Sequence, residues 1–397
     1  MTTSEHPLSG RAAIAGIGAT DFSKESGRSE LRLAAEAVTA ALADAGLTPA
    51  DVDGLTTFTM DTNLQVAVAR AVGIPQLKFF SHIGYGGGAA CATVQQAAMA
   101  VATGVADVVV AYRAFNERSV SRFGQFSSSL AAAPTSSGID AGWSYPHGLG
   151  TPVAQVAMVA RRYMHVYGAT SADFGRVAVA DRKHAAVNPD AFFYNKPITL
   201  EDHQNSRWIA EPLHLLDCCQ ESDGGVAIVV TSAERARDLP NPAAVITAAA
   251  QGSGADQYVM TSYYRDALTG LPEMGLVGDQ LWSQSGLRPA DIQAAILYDH
   301  FTPFVLMQLE ELGFCPRGEA KDFIADGAIE IGGKLPINTH GGQLGEAYIH
   351  GMNGIAEGVR QLRGTSVNQV HDIENVLVTA GTGVPTSGLV LSADRSA

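Results

Sequence analysis

The octapeptide Gly-Leu-Thr-Pro-Ala-Asp-Val-Asp at residues 46–53 recurs, little changed, as Gly-Leu-Arg-Pro-Ala-Asp-Ile-Gln at residues 286–293. Each copy lies between a helix-like segment that stops at a glycine and an apolar, strand-like segment. These flanking segments are residues 29–45 and 54–58 in the first half, and 278–285 and 294–298 in the second. The recurrence predicts two similar halves, although a helix–strand connector that is used twice would produce the same pattern.

The rest of each half repeats one order of elements. Residues 86–104 form a Gly-rich opening and a helix-like run of small residues, and the apolar segment 105–112 follows. In the second half, the helix-like segment 351–364 precedes the apolar segment 376–383 in the same way. Strands that alternate with helices predict an α/β protein whose largely parallel sheet is covered by helices on both faces.

Residues 119–212 differ from both halves in composition and in the order of their predicted elements. Polar pieces that contain Ser and Gly alternate there with two helix-like segments, 152–167 and 171–187. A long insertion between paired halves usually covers a site. We therefore predict a first part of the N-terminal half, an inserted loop domain, the completion of the N-terminal half and a C-terminal half, at residues 1–118, 119–212, 213–240 and 241–397.

Composition narrows the class of protein. With 46% hydrophobic and 17% charged residues, the chain of 397 residues is typical of a globular protein. Its net charge of −14 disfavours nucleic acid, and no apolar run predicts membrane insertion or a signal peptide, so we expect a cytoplasmic protein. The four cysteines predict free thiols, because they form neither a disulfide framework nor a zinc-ligand spacing.

The motifs of the first half resemble those of the thiolase superfamily, specifically its sterol-carrier-protein-type, thiolase-like branch. Residues 86–104 and 105–111 resemble the nucleophile helix of that family and the strand after it. Residues 213–219 and 222–225 resemble the segment that returns from the loop domain covering coenzyme A (CoA). The resemblance implies the thiolase fold, in which two duplicated βαβαβ halves form layered sheets and helices (αβαβα) and carry an inserted loop domain.

The second half carries the same resemblance, which extends over nearly the whole chain. The sequence Tyr-Asp-His-Phe at residues 298–301 lies where that branch has His-Asp-Cys-Phe or Asn-Glu-Ala-Phe. Residues 338–342, Asn-Thr-His-Gly-Gly, lie at the Asn-x-x-Gly-Gly that leads to the Gly-His-Pro motif of the family. This combination is specific for the fold.

The departures from the family pattern concern its catalytic residues. Aligned with the family, the nucleophilic cysteine falls on Gly87, the histidine of Gly-His-Pro on Tyr348, and the second catalytic cysteine on Ala380. The position whose Asn or His holds an oxyanion-site water falls on Tyr298. Claisen chemistry on an acyl-enzyme needs a thiolate, so the ordinary thiolase reaction is not expected.

Tyrosines at these two positions resemble the steroid side-chain aldolases of the thiolase-like lipid-transfer-protein group. That resemblance implies retro-aldol cleavage of a β-hydroxyacyl-CoA steroid with a tertiary hydroxyl on C17, giving a 17-ketosteroid and propionyl-CoA. It also implies a partner with an OB-fold of the DUF35 type, and a homodimer for which we predict the segment 105–112 as the pairing strand. No cofactor and no metal are expected beyond the CoA of the substrate.

Retro-aldol cleavage needs a base for the β-hydroxyl proton, an acid for the α-carbon and an electrostatic site for the enolate. Tyr298 and Tyr348 are the predicted acid and base, without an assignment of which is which. A free phenol with a pKa near 10 is a poor base at neutral pH. His300 and His350 are therefore predicted to lower the pKa of a phenol or to relay its proton, because residues two apart on an extended strand share a face.

Five glycines are predicted to bind substrate. Gly87 would leave space for the bulky tertiary alcohol, and backbone N–H groups near the Gly-rich turns would form the oxyanion site. Two of the glycines also shape the turn after Asn338. The five are Gly87, Gly341, Gly342, Gly381 and Gly383.

Two other functions remain open from the sequence. The first is a catalytically inactive scaffold that binds acyl-CoA or sterol, because degeneration would also remove the cysteines and the histidine. The second is a thiolase that uses a relocated Cys91, which requires an exposed and acidified thiol. Paired polar residues at the replaced positions favour the aldolase over decay, which would leave small or random residues.

Overall fold

The computed structural model describes residues 6–84, 86–120, 122, 124–125, 142–257, 260, 264–381 and 386–394. Its strands are β1 (Ala12–Ala19), β2 (Gly54–Phe58), β3 (Phe79–Ile83), β4 (Val108–Asn116), β5 (Trp208–Ala210), β6 (Leu213–His214), β7 (Asp223–Ser232), β8 (Ala244–Gly252), β9 (Ala294–Ile296), β10 (Asn375–Ala380) and β11 (Thr386–Ala393). Its α-helices are α1 (Glu30–Ala45), α2 (Gln65–Val72), α3 (Ala90–Ala102), α4 (Pro152–Tyr167), α5 (Ser171–Val187), α6 (Leu200–Asn205), α7 (Ala233–Ala236), α8 (Pro272–Ser285), α9 (Thr302–Glu311), α10 (Ala320–Phe323), α11 (Gly342–Gly345) and α12 (Met352–Arg363).

The capping residues of α1 show why the first element of the recurrence ends where the sequence predicts. Ser29 is the N-cap, and its hydroxyl accepts the N–H of Arg32. Gly46 has φ of 67°, the left-handed conformation that glycine adopts at helix C-caps without strain. The counterpart helix α8 also ends at a left-handed glycine, Gly286.

A nine-stranded sheet runs through both halves in the order β3-β2-β4-β7-β1-β8-β11-β10-β9. The parallel pairs expected of strands separated by helices lie at its two ends, where β2 pairs with β3 and β4, and β9 with β10. The central pairings are antiparallel. The sheet is therefore mixed, and β1 and β8 join its two halves.

Strand order confirms the duplication. The first half contributes β3-β2-β4-β7-β1 and the second β8-β11-β10-β9, so the order in one half reverses that in the other. Strands β2 and β9 each follow one copy of the octapeptide. At the far end, an isolated parallel bridge joins Ala295 to Ile337 where the first half has β3.

Three clusters of buried hydrophobic residues lie between the layers of helices and sheet. One lies between α1, α2 and the first half of the sheet, and another between α8, α9 and the second half. The third contains residues of α3 and α12 together with the inner faces of both halves. The predicted αβαβα layering is therefore confirmed, and it places α3 and α12 at the centre of the molecule.

The inserted segment contains the two helices that its sequence predicts, α4 and α5, with the same bounds. Tyr163 of α4 and Phe174 of α5 are buried in the cluster of the second half. The boundaries of the inserted domain stay a prediction. Among the described residues, no helix combines the length and apolar character that a membrane span requires.

One prediction about the homodimer is wrong. The segment 105–112 falls largely on β4, which is hydrogen-bonded to β2 along one side and to β7 along the other. A strand paired on both sides cannot also pair with a second copy of the chain. Strand β3 forms the end of the sheet instead, and the homodimer itself stays a prediction.

Candidate active site

Tyr298 and Tyr348, fifty positions apart in sequence, meet at the centre of the molecule. Their hydroxyl oxygens are 3.0 Å apart, which is hydrogen-bond distance. The Tyr298 side chain is almost fully buried, with 3% of its surface exposed, and Tyr348 packs beside it. The structure thus joins the predicted acid and base into one hydrogen-bonded pair.

Backbone hydrogen bonds fix Tyr298 just beyond the end of β9. Its N–H donates to Thr379 Oγ1 at 2.9 Å, and its carbonyl accepts from Gln308 Nε2 at 2.9 Å. The Thr379 hydroxyl donates to Gln308 Oε1, which closes a ring of buried hydrogen bonds. Tyr348 is held by its N–H, which donates to Ser222 Oγ at 3.1 Å. Such satisfied polar networks hold a side chain in one position.

Gly87 lines the cavity, and its contact with substrate stays a prediction, but the space beside its Cα that was expected to take the tertiary alcohol is filled. A Cβ atom at position 87 would lie 1.6 Å from the hydroxyl oxygen of Tyr298. The volume that a side chain at the start of the Gly-rich helix would need is therefore filled by the phenol. Because the hydroxyl lies there, it occupies the place from which a nucleophile at position 87 would act.

Each predicted histidine lies against its tyrosine. The ring centroids of Tyr298 and His300 are 4.7 Å apart, and those of Tyr348 and His350 are 4.6 Å apart. Neither pair lies on a strand as expected, because β9 ends at residue 296 and His350 has a φ of 51°. The proximity is nevertheless the predicted one.

The protonation of these groups differs from the prediction. Burial lowers the pKa of His300 to about 3 and that of His350 well below its usual value, so both imidazoles are neutral at pH 7. His350 Nδ1 accepts from the buried Arg113, at 3.4 Å from its Nε. Burial also raises the pKa of both tyrosines. The net direction is thus opposite to the lowered phenol pKa that was one of the two expected effects of the histidines, and both phenols are uncharged at pH 7; the proton relay stays a prediction.

Gly341 and Gly342 lie in the turn that packs against Asp299, the residue after Tyr298. Asp299 accepts the N–H groups of Gln343 and Leu344 at 2.9 and 3.0 Å. A Cβ atom on Gly342, whose φ is 64°, would lie 2.1 Å from the Asp299 carboxylate. Neither glycine is among the described residues that line the cavity, so their predicted contact with substrate is not supported.

The other two glycines follow β10. A Cβ atom on Gly381 would lie 2.2 Å from Cα of Gly88, so the backbone there packs directly on the short turn that precedes α3. The role of Gly381 in substrate binding stays a prediction. Gly383 lies outside the described residues.

A cavity of about 860 Å³ opens onto Tyr348, which lines it together with His300 and His350, whereas Tyr298 is not among its lining residues. Part of its wall is apolar, with Leu215, Leu216, Ile198, Ile209 and Phe193. The rest includes two acidic side chains, Glu117 and Glu221, the latter ion-paired with Arg122, and a larger number of cationic ones: Lys24, Arg118, Arg122, Arg182 and Arg207. The cavity can therefore hold a ligand that is apolar at one part and anionic at another.

Sequence reasoning missed Glu117, which lines the cavity, and Arg113, which is fully buried behind His350. One sequence signal could have identified both residues: Arg113 is a charged residue within the apolar strand β4, and Glu117 is a charged residue directly after it. Buried charges are rare unless they are paired or functional. No group of residues suited to a metal ion occurs in the part of the chain that the structure describes.

Comparison with known proteins agrees with this geometry. The family model described as "Thiolase, N-terminal domain" matches residues 12–234, and "Thiolase C-terminal domain-like" matches residues 254–392. The chain belongs to the thiolase superfamily.

Two members of this superfamily are close relatives. The chain is 79% identical to the 17-hydroxy-3-oxo-4-pregnene-20-carboxyl-CoA lyase of Mycobacterium tuberculosis, over 97% of this chain and all of that protein. It is 74% identical to a steroid side-chain-cleaving aldolase of Thermomonospora curvata, over 98% and 99% of the two chains.

Two solved structures of the superfamily are also similar to this chain. The structure of an Ltp2-ChsH2(DUF35) aldolase superposes with a TM-score of 0.94 at 73% identity, over 98% of this chain and all of that one. Human mitochondrial 3-ketoacyl-CoA thiolase superposes with a TM-score of 0.68 at 15% identity, over 98% of this chain and all of that one. The latter likeness concerns the fold alone.

The cysteines of this thiolase-superfamily chain do not supply the missing nucleophile. Cys91 is fully buried in the central cluster, and burial raises the pKa of its thiol. Burial likewise raises the pKa of Cys218, Cys219 and Cys315. The relocated-cysteine hypothesis required an exposed and acidified thiol, so the structure contradicts it.

Replacing all four cysteines by Ala or Ser is therefore expected to retain most of the catalytic turnover. The cost should be a loss of packing, about 1–3 kcal/mol in the free energy of unfolding. Turnover of the purified variant and its urea midpoint would measure the two effects separately. A folded Cys91→Ala variant without turnover would contradict a mechanism that lacks a covalent intermediate.

Proposed function

We propose that the protein is a carbon–carbon lyase that cleaves a steroid CoA thioester. The substrate is of the 17-hydroxy-17-propanoyl-CoA type, and the products are a 17-ketosteroid and propionyl-CoA. The observation that carries the proposal is the hydrogen-bonded Tyr298–Tyr348 pair at the position where a thiolase has its nucleophile. The high identity to the lyase and the aldolase named above supports the same reaction.

The uncharged phenol pair suits proton transfer within the site. One phenol can take the β-hydroxyl proton only if it gives up its own proton at the same time, because a buried phenol carries no charge at pH 7. The 3.0 Å contact provides a direct path for that second proton to the other phenol. The neutral imidazoles of His300 and His350 hold the two rings in place, and we propose that they assist the relay.

The cavity suits both parts of such a substrate. Its apolar side chains match a steroid ring system, and its cationic side chains match the phosphates of CoA. Burial lowers the pKa of Lys24 to about 8, and an anionic ligand beside this side chain would favour its charged form. No cofactor is proposed, since retro-aldol cleavage requires only proton transfers and stabilisation of the enolate.

An inactive scaffold that binds acyl-CoA or sterol is the second candidate function. Decay of a thiolase site would leave small or unrelated side chains at the replaced positions. Here both positions carry tyrosines whose hydroxyls bond to each other, and the backbone of Tyr298 is fixed by a complete hydrogen-bond ring. These hydrogen bonds hold both tyrosines in place, which favours a catalytic role over an inactive scaffold.

We also propose a complex with a protein that contains a DUF35 OB-fold, together with a homodimer and a cytoplasmic location. Support for the partner comes from the solved relative, an aldolase named for Ltp2 together with ChsH2(DUF35). The dimer and the location rest on the sequence alone.

Propionyl-CoA release tests the proposed function directly. The protein, with and without the DUF35-type partner, would be incubated with the β-hydroxyacyl-CoA steroid, and propionyl-CoA and 17-ketosteroid would be quantified. A substrate without the 17-hydroxyl is the control, because it has no proton to give up and cannot become a ketone. Tight substrate binding without either product would favour the scaffold.

A further inference from the structure

Glu117 is a buried carboxyl group at the active site whose role is unexplained. It follows β4 directly, has 2% of its surface exposed, and lines the same cavity as Tyr348 and His350. Its Oε2 has no hydrogen-bond partner among the described residues. Burial of a carboxyl oxygen without a partner is costly, and such oxygens in native proteins usually have a functional reason.

The surroundings of Glu117 connect it to the tyrosine pair. Its Oε2 lies 3.8 Å from Nδ1 of His350, and the ring of His350 packs against that of Tyr348. Arg113 donates to the same nitrogen, which fixes the imidazole with its other nitrogen protonated. The carboxyl group and the pair of phenols thus flank one histidine.

We propose that Glu117 is a third proton-transferring residue of the site, which gives its proton to the α-carbon and recovers one through the tyrosine pair. The inference rests on the proposed function. It assigns the acid that protonates the α-carbon and leaves the two phenols to carry the 17-hydroxyl proton away.

The atoms of this step balance. The bond between C17 and the α-carbon breaks, and its electron pair forms the thioester enolate while C17–O becomes a carbonyl. The α-carbon of the enolate takes the proton of the Glu117 carboxyl. In the same concerted step the 17-hydroxyl proton passes to one phenol, that phenol passes its own proton to the other, and the second phenol passes its proton to the carboxylate of Glu117, which restores the acid. No oxidant, reductant or water enters.

The surroundings of the carboxyl group favour its protonated form, which is the form that the step requires. Burial raises its pKa well above the usual value, and Glu221 and Asp223 act in the same direction, whereas Arg113 and Lys24 oppose them. The other titratable groups whose charge or contacts involve this carboxyl are those of His350, Cys219, Tyr298 and Tyr348.

Glu117→Gln is the decisive variant, because it keeps the shape and a hydrogen-bond donor but cannot exchange a proton. We expect kcat to fall by roughly 10²–10³-fold with little change in KM, the usual effect of removing a positioned acid. Glu117→Asp should retain part of the rate. Glu36→Gln, on the outer face of α1, is the matched control and should keep the wild-type rate.

The pH profile provides a readout that a structural role would not change. Because the protonated acid is the active form, wild-type kcat should fall as pH rises through the raised pKa of Glu117, and this limb should be absent in Glu117→Gln. Formate, but not formamide, should raise the rate of Glu117→Ala, because only formate replaces a carboxyl group.

Three results would overturn the inference. A Glu117→Gln variant with the kcat of the wild type is the first, and failure of formate to act on a folded Glu117→Ala variant is the second. The third is a wild-type protein that cleaves nothing with its partner present. That result alone would also overturn the proposed function, which distinguishes it from the first two.

Discussion

Tyr348→Phe should lower turnover by roughly 10²–10⁴-fold, the usual contribution of a positioned general acid or base. The change removes one oxygen atom from a hydroxyl pair 3.0 Å apart and keeps the aromatic ring in the central cluster. Binding of the CoA substrate should change little, because the cationic side chains of the cavity are untouched. Steady-state kcat and KM for propionyl-CoA release measure both expectations.

Tyr298→Phe should have an effect of the same size. If both phenols act in one concerted relay, the double variant should be no slower than the slower single variant, whereas independent roles would multiply their effects. Tyr194→Phe is the control, since Tyr194 is 42% exposed and lies outside the cavity lining among the described residues. A wild-type rate in Tyr348→Phe would remove this residue from the mechanism and favour the scaffold.

Gly87→Ala should be nearly as damaging as Tyr298→Phe, although it adds only one methyl group. That carbon would lie 1.6 Å from the Tyr298 hydroxyl oxygen, so the phenol must move and its bond to Tyr348 must break. We expect a fall in kcat of at least about 10²-fold. Overpacking should also destabilise the fold by about 1–3 kcal/mol.

Gly84→Ala is the matched control for this change. A Cβ atom there would meet only Thr59, at 3.8 Å, which is an ordinary van der Waals contact. Comparison of kcat and of the urea midpoint for the two variants separates loss of geometry from loss of stability. Full activity in Gly87→Ala would show that the hydroxyl of Tyr298 is not needed where the structure places it.

Local sequence signals predicted most of the architecture. The capping residues of α1, the glycine that ends α8 and the two helices of the insertion follow directly from short patterns, and the octapeptide located the duplication. The Tyr298–Tyr348 pair followed from family motifs, because homologous positions occupy homologous places in a shared fold. These features depend either on neighbouring residues or on a known template.

The features that the sequence did not predict depend on contacts between distant segments. The sequence of an apolar strand such as β4 does not show whether its neighbours in the sheet belong to the same chain or to a second copy. For this reason the prediction of β4 as the dimer strand was wrong. The volume beside Gly87 depends on the rotamer of a residue more than two hundred positions away. The pKa directions of the tyrosines and of Glu117 depend on burial, which no short motif encodes.

The shared volume of Gly87 and Tyr298 restricts how such a site can evolve. With its hydroxyl where the structure places it, Tyr298 leaves no room for a Cβ atom at position 87, and a side chain at 87 would displace that hydroxyl. The absence of a side chain at position 87 is therefore what makes room for the phenol in its present place. A thiol placed at 87 alone would displace the Tyr298 hydroxyl without supplying the histidine that a thiolase uses, so one substitution would remove the present site without creating the other.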